Sequence, residues 1–188
     1  MIVVTGPSGA GKGTLIRHLL SCLPELTVAI SATTRSRRPG EENGSDYWFL
    51  EEVEFAKRVA AGAFLEHVTY VSGHRYGTLR SEIDRIVAGG KVCVLELETE
   101  GALNVKEQIP GALTIFITAP IPELERRLRE RATESAGEIG ERIDLARLQL
   151  DQAAQFDRVV LNDEVERAAA ELTGIVRGAF AAVFDGAR

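Results

Sequence analysis

The chain has 188 residues, with 22 Lys plus Arg against 28 Asp plus Glu, a formal net charge of −6, and 45% apolar and 27% charged residues. That length allows one compact core with small inserted lobes and excludes two large independent domains, because domains commonly run to roughly 100–150 residues. The composition excludes a disordered or disulfide-stapled chain. The acidic excess argues against a broad nucleic-acid surface but leaves room for local cationic pockets that take small anions.

Cys22 and Cys93 lie far apart, without the spacing of a metal knuckle or redox pair, and read as two buried apolar thiols. The chain opens with Met1-Ile2-Val3-Val4 and reaches Gly6 too soon for the apolar core of a secretory signal. No apolar run approaches the ~18–20 residues of a membrane span. The expectation is a cytoplasmic protein in a reducing compartment, bound to no membrane.

In chain order, Ile2–Thr5 reads as a buried strand and Lys12–Cys22 as a helix with Leu15, Leu19 and Leu20 on one stripe. Val28–Ile30 reads as the next strand. From Ser31 to Arg80 the rhythm breaks into a polar loop rich in Arg and Gly, then Tyr47-Trp48-Phe49-Leu50, a short helical stretch to Ala61, and the partly alternating run Phe64 to Tyr70. Alternation points to strands with one solvated face, hence a small mixed lobe inserted into the main sheet. Helix Arg80–Ala88, strand Lys91–Leu97, strand Leu113–Thr118 and helix Pro122–Arg131 follow. The polar patch Arg131 to Gly140 reads as an irregular lid segment. Helix Ile139–Gln155, with Leu145, Leu148 and Ala153 in its stripe, strand Arg158–Leu161 and helix Glu164–Phe184 complete the chain. Strands alternating with helices predict an α/β fold, a parallel sheet of five strands with crossover helices on both faces.

Gly6-Pro7-Ser8-Gly9-Ala10-Gly11-Lys12-Gly13-Thr14 directly follows the first strand and opens the first helix. That is the strand–loop–helix context of a P-loop: backbone N–H groups turn inward, the helix N-terminus adds positive potential, and Lys12 can bridge outer phosphates. Gly13 stands where the usual pattern carries a Ser or Thr that reaches magnesium. A P-loop specifies only that a nucleoside triphosphate binds.

The second cluster runs Ser31-Ala32-Thr33-Thr34-Arg35-Ser36-Arg37-Arg38-Pro39-Gly40-Glu41 and on to Tyr47-Trp48-Phe49. Guanidinium groups among hydroxyls can fork around a phosphate monoester, although a charge run alone is usually a solvated loop. With Phe64-Leu65-Glu66-His67, Arg75-Tyr76-Gly77-Thr78, the arginine-rich Arg126 to Arg131 and Leu161-Asn162-Asp163-Glu164, the order and spacing of these pieces closely resemble the guanylate kinase family over nearly the whole chain. The Gly-Lys-Gly-Thr ending of the loop also resembles adenylate kinases, which implies magnesium held largely by water and substrate phosphates, with Thr14 contacting phosphates.

The resemblance implies a P-loop NTPase three-layer sandwich in one domain. Its core is 1–30, 81–122 and 156–188, with a GMP-binding lobe at 31–80 and a lid at 123–155. It implies transfer of the γ-phosphoryl group of ATP, with Mg2+, to GMP and dGMP in purine nucleotide metabolism and GMP recycling. Arg35 and Arg38 are then expected to hold the GMP phosphate with the phenols of Tyr47 and Tyr76, and Glu41 to orient the arginines. Glu66, Thr78 and Ser31, beside Gly77, are expected to read guanine: one carboxylate suits the N1–H and amino donors, and Thr78 donates to O6. Lys12, Arg131 and Arg142 are the expected catalytic cations, and the loop residues Gly6 to Thr14, Arg131 and Asn162 the expected ATP contacts. Arg126, Arg127 and Arg129 are expected to pair with Glu123, Glu125 and Glu130 at helical spacing. No histidine among His18, His67 and His74 needs a role, because the attacking phosphate oxygen is already anionic.

Two departures from the family pattern stand out. Glu96 and Glu98 replace an Asp-x-Asp pair, ahead of Thr99-Glu100-Gly101; strand alternation puts both on one side, with Glu98 assigned to GMP and Glu96 to the outer surroundings of the metal. The lid reads Glu130-Arg131-Ala132 where Gly-Arg-Gly is usual. Competing readings are a peptide-binding guanylate-kinase-like scaffold domain, which the intact P-loop opposes, and a kinase for another nucleoside monophosphate, which Glu66 and Thr78 oppose. A spare stripe on the last helix leaves both a monomer and a homodimer open.

Overall fold

Successive side chains of a strand point to opposite faces, and the first strand shows what that does here. Ile2 and Val4 enter one apolar cluster and Val3 the other, all with no exposed surface. A computed structural model describes residues 1–70, 73–130 and 136–182. The elements are β1 (Ile2–Thr5), α1 (Lys12–Cys22), β2 (Leu26–Val28), β3 (Ala32–Thr33), β4 (Trp48–Phe49), α2 (Glu52–Ala60), β5 (Phe64–Thr69), β6 (Arg75–Leu79) and α3 (Arg80–Ala88). They continue with β7 (Val92–Glu96), α4 (Thr99–Gln108), β8 (Leu113–Thr118), α5 (Ile121–Glu130), α6 (Ala136–Asp151), β9 (Arg158–Leu161) and α7 (Val165–Ala179).

The five-stranded sheet runs β2-β7-β1-β8-β9 with every pairing parallel. On one face α1 and α7 bury Leu15, Leu19, Leu172 and Val176 against Ile2, Val4, Ile115 and Ile117. On the other, α3 and α4 bury Ile86, Ala102 and Val105 against Val3, Leu95 and Phe116. This is a helix–sheet–helix sandwich. A second sheet, β4-β3-β6-β5, is mixed: β3 and β4 are parallel, and β6 is antiparallel to both its neighbours. It has its own small core, in which Phe55 and Phe64 stack 4.5 Å apart over Ala32 and Leu79.

Several expectations are corrected. The second strand lies at Leu26–Val28 and not Val28–Ile30; Ala29 still donates to the Val94 carbonyl, but the Ile30 amide turns away to Glu82. Helix α4 carries no apolar stripe in the sequence because its buried face is small: Thr99, Gly101, Ala102 and Val105. The segment expected to be irregular up to Gly140 is helical from Ala136. Among the described side chains of α6 the buried apolar ones are Ile143 and Ala146, facing Leu124 and Leu128 of α5, while Leu148 is 64% exposed. Cys93 is buried, but Cys22, in the last turn of α1, is exposed. Among the described residues, no helix is long and apolar enough to cross a membrane.

Candidate active site

β1 delivers the chain to a turn at Gly6, and α1 starts at Lys12. The Lys12 ammonium folds back on the loop and donates to the carbonyls of Gly6 at 2.7 Å and Pro7 at 3.3 Å. Ser8, Gly9, Gly11, Lys12, Gly13 and Thr14 line a cavity of about 310 Å³ together with Glu96 and Arg17. Gly11 has φ 87°, and a Cβ there would meet the Asn162 amide nitrogen at 2.3 Å, so glycine is required twice over. Asn162 itself is only 1% exposed; its Nδ2 donates to the Ala10 carbonyl at 2.7 Å. The side chain expected to touch nucleotide is placed behind the loop as its anchor.

The arginine loop is asymmetric. Arg35 donates from both terminal nitrogens to Glu41, at 2.7 and 3.0 Å, and its guanidinium lies 5.4 Å from the Tyr47 ring centroid. Tyr47 and Tyr76 meet edge to face at 6.0 Å. Burial pushes the Tyr47 phenol up, keeping it a donor. Glu41 holds Arg38 only through its backbone N–H, at 2.8 Å; the Arg38 side chain is exposed, as is Arg37. Glu41 therefore orients one arginine directly and the other only through the loop.

Glu66 lies on β5, an edge strand, yet is 6% exposed because its side chain turns inward. The Thr78 hydroxyl donates to its Oε1 at 2.9 Å. A hydroxyl has one proton to donate, so in this arrangement Thr78 positions Glu66 and is not free to donate to a base. Burial raises the Glu66 carboxyl above the ordinary range against the Thr78 bonds that lower it.

One cavity of about 310 Å³ is lined by Lys12, Glu96, Glu98, Ser31, Tyr47, Tyr76, Gly77 and Glu66, while the side chains of Arg35, Arg38 and Thr78 do not line it. Glu96 is an exposed residue, but desolvation of its carboxyl among the groups of the cleft, and to a smaller degree Glu98, raises it, opposed by Lys12 and Arg17. Glu98 precedes the first turn of α4 without a side-chain capping bond, and its Oε2 lies 3.5 Å from the Gln149 amide nitrogen of α6. Arg142 of α6 donates to the Ser8 hydroxyl at 2.8 Å, which seats α6 on the P-loop. Arg131 lies outside the described residues.

One cation escaped the sequence reading, and a second was read only in part. Arg17 donates to the Thr14 hydroxyl at 3.2 Å, and i,i+3 spacing on α1 was a signal for it. Arg127 pairs with Glu123 at 2.7 Å as expected, but another nitrogen reaches the Gly9 carbonyl at 3.2 Å, a tertiary contact with no local signature. Arg126 pairs with Glu123 and Glu130, and Arg129 with Glu125 at 3.8 Å. His18 and His67 are exposed and line neither cavity, and His74 is partly buried away from both.

The guanylate kinase family model matches residues 1–179. The guanylate kinase of Synechococcus elongatus is 44% identical over 94% of this chain and 96% of that protein, and that of Frankia casuarinae is 43% identical over 95% and 97%. The crystal structure of guanylate kinase from Anaplasma phagocytophilum superposes with a TM-score of 0.76 at 28% identity, covering 95% of this chain and 84% of that one. The shikimate kinase of Bacteroides thetaiotaomicron, at 18% identity and TM-score 0.52, shares the fold. With this family match over nearly its whole length, and with Lys12 of its P-loop and the buried Glu66 lining one cavity, the chain belongs to the guanylate kinase family.

Proposed function

We propose that the chain carries out the guanylate kinase reaction, ATP plus GMP or dGMP giving ADP plus GDP or dGDP, with the two ends of one cleft dividing the substrates. The observation that carries this reading is that Lys12 of the P-loop and the buried Glu66 line the same cavity. Residues 31–80 form the lobe that takes GMP, and residues 123–155 the lid over ATP.

At the base end, the Glu66 carboxylate accepts from guanine N1–H and the exocyclic amino group, and Thr78 fixes the carboxylate. Adenine would set an acceptor, N1, against that carboxylate, and a site built on specific hydrogen bonds rejects such an analogue by about 10⁴ or more. The GMP phosphate, with roughly −1.5 to −2 charges, lies against Arg35 and the phenols of Tyr47 and Tyr76. Arg38 swings in from solvent to supply the second positive charge. The attacking oxygen needs no general base, so the residues act by in-line positioning and charge neutralisation. Lys12 leaves the Gly6 and Pro7 carbonyls for the phosphates, and Arg142, already beside Ser8, covers the ATP side with Arg131.

The residues fit a magnesium ion carried on the nucleotide. Gly13 offers no side-chain oxygen, Glu96 Oε2 lies 3.9 Å from where a Cβ at Gly13 would stand, and among the described residues no group of three His, Cys, Asp or Glu gathers. Glu96 would hold the ion, with Thr14 beside it on the phosphates. When bound, Mg2+ would neutralise charge on the nucleotide phosphates.

The test is ADP release from ATP with GMP, dGMP, AMP, CMP or UMP as acceptor. Turnover with GMP and dGMP is expected. Preference for AMP overturns the guanine pocket, and no turnover with any acceptor overturns the enzyme.

A further inference from the structure

Gly101 is a buried residue in the first turn of α4, and its φ is not in the left-handed region. Its backbone therefore does not require glycine, and alanine would be the better helix former at this position. What requires glycine is the neighbour. A Cβ on Gly101 would stand 2.6 Å from Glu66 Oε2, 3.4 Å from its Cδ and 3.7 Å from a Val68 methyl. The other carboxylate oxygen, Oε1, is held by the Thr78 hydroxyl. Glu66 is thus gripped between a hydroxyl on β6 and the bare backbone of α4.

This geometry leaves the carboxylate no free retreat. Adding a methyl at Gly101 requires Oε2 to withdraw by roughly 1 Å to regain ordinary van der Waals separation. Oε1 then has to leave Thr78, or the whole group has to advance into the cavity that Glu66 lines. The first turn of α4 also favours a nearby negative charge, through its unpaired N–H groups. A glycine at this point lets that turn lie flush against the carboxylate.

We propose that Gly101 is a positioning residue for substrate specificity: by carrying no side chain it sets the depth of the Glu66 carboxylate, and through it the discrimination of guanine from purines that lack its donor pair. The proposal rests on the reading that Glu66 faces the base.

The test is steady-state kinetics with GMP, IMP and AMP for Gly101→Ala, Glu66→Ala and the double variant, each with KM for ATP and a melting curve. IMP keeps N1–H but lacks the amino group. Gly101→Ala should raise KM for GMP by about 10²-fold, the scale of a 1 Å misplacement, and narrow the GMP over IMP preference. KM for ATP should stay unchanged and the melting temperature should hold or rise. In the Glu66→Ala background the same substitution should add no further loss, because the clashing oxygen is gone. Wild-type KM for GMP in Gly101→Ala, or an equal fold-loss in both backgrounds, overturns the proposal. Should Gly101→Ala fail to fold, Glu66→Ala must restore folding, and failure to do so overturns it too. If Glu66→Ala alone leaves KM and the GMP over IMP ratio unchanged, it is the reading of Glu66 that fails. An impaired Glu66→Ala beside a normal Gly101→Ala isolates the failure to Gly101.

Discussion

Glu41 receives both terminal nitrogens of Arg35, at 2.7 and 3.0 Å, and the same carboxylate accepts the Arg38 backbone N–H at 2.8 Å. One side chain therefore fixes the plane of a guanidinium and the turn that carries the next arginine. The Arg35 bonds, then the Arg38 amide, hold the Glu41 carboxyl down at about 2. With its folded value depressed, this group contributes fully above the ordinary carboxylate range, and the contribution is lost only as pH falls toward 2. Glu41→Gln should raise KM for GMP by about tenfold, the loss of a charge-assisted pair, with KM for ATP unchanged. Kinetics at pH 7.5 with each substrate varied in turn check this; an equal rise for ATP would mean general damage.

Burial raises the Glu66 carboxyl, so its sign is the opposite. A carboxyl favoured in its neutral form makes the fold more stable at low pH, and that advantage is lost as pH rises through its folded value. Glu66→Gln keeps an acceptor for Thr78 and removes the buried charge. It should melt higher than wild type at pH 8, by a margin that shrinks towards pH 4, while GMP turnover falls by about 10²-fold or more. Melting curves at both pH values, paired with GMP kinetics, check it. A lower melting temperature at pH 8 would contradict the cost assigned to burying the charge.

What the sequence reveals and hides follows from the range of the interactions. The run Ile2–Thr5 with its glycine loop and Lys12 is a local pattern; the strand lies at the sheet centre, and the loop residues line a cavity beside Lys12. Helix α4 was missed because packing against β1 and β5 selects small residues such as Gly101 and Ala102, which erase apolar periodicity. In α6 the apolar residues Leu145 and Leu148 suggested a stripe, but Ile143 and Ala146 face α5 instead. The Thr78 bond to Glu66 and the Asn162 bond to Ala10 join residues 12 and 152 positions apart. Spacing cannot tell a side chain that touches a ligand from one that holds its neighbour.

Asp157 ties the start of β9 to β8 and α4. Its Oδ2 accepts the Thr114 amide at 2.8 Å and the Thr114 hydroxyl at 2.7 Å, and its Oδ1 accepts Lys106 at 2.7 Å. Burial pushes this carboxyl up, but Lys106 and Thr114 outweigh it and hold it at about 2. The depressed value means that stability is present above pH ~4 and is lost as pH falls through about 2. Asp157→Ala should destabilise the protein by about 1–3 kcal/mol, chiefly by leaving the Thr114 groups unpaired, and leave KM for both substrates as in wild type. Urea denaturation at pH 7 measures the loss; a shift in KM for GMP would show that β9 communicates with the cleft.

Asn162 sits between the end of β9 and the P-loop, its backbone amide donating to the Thr118 carbonyl and its side-chain amide to Ala10, both at 2.7 Å. The Gly11 backbone lies so close that no Cβ would fit between them. Asn162→Ala removes the partner of a buried carbonyl, a cost of about 1–3 kcal/mol, and frees the loop that carries Lys12. KM for ATP should rise while KM for GMP changes little, and GTP used as phosphoryl donor should weaken by the same factor as ATP, because an anchor behind the loop is indifferent to the base. Asn162→Asp, which turns a donor into an anion facing the Ala10 carbonyl, should be worse on both counts. A change in ATP over GTP preference at an unaltered melting temperature would instead put Asn162 against the adenine ring.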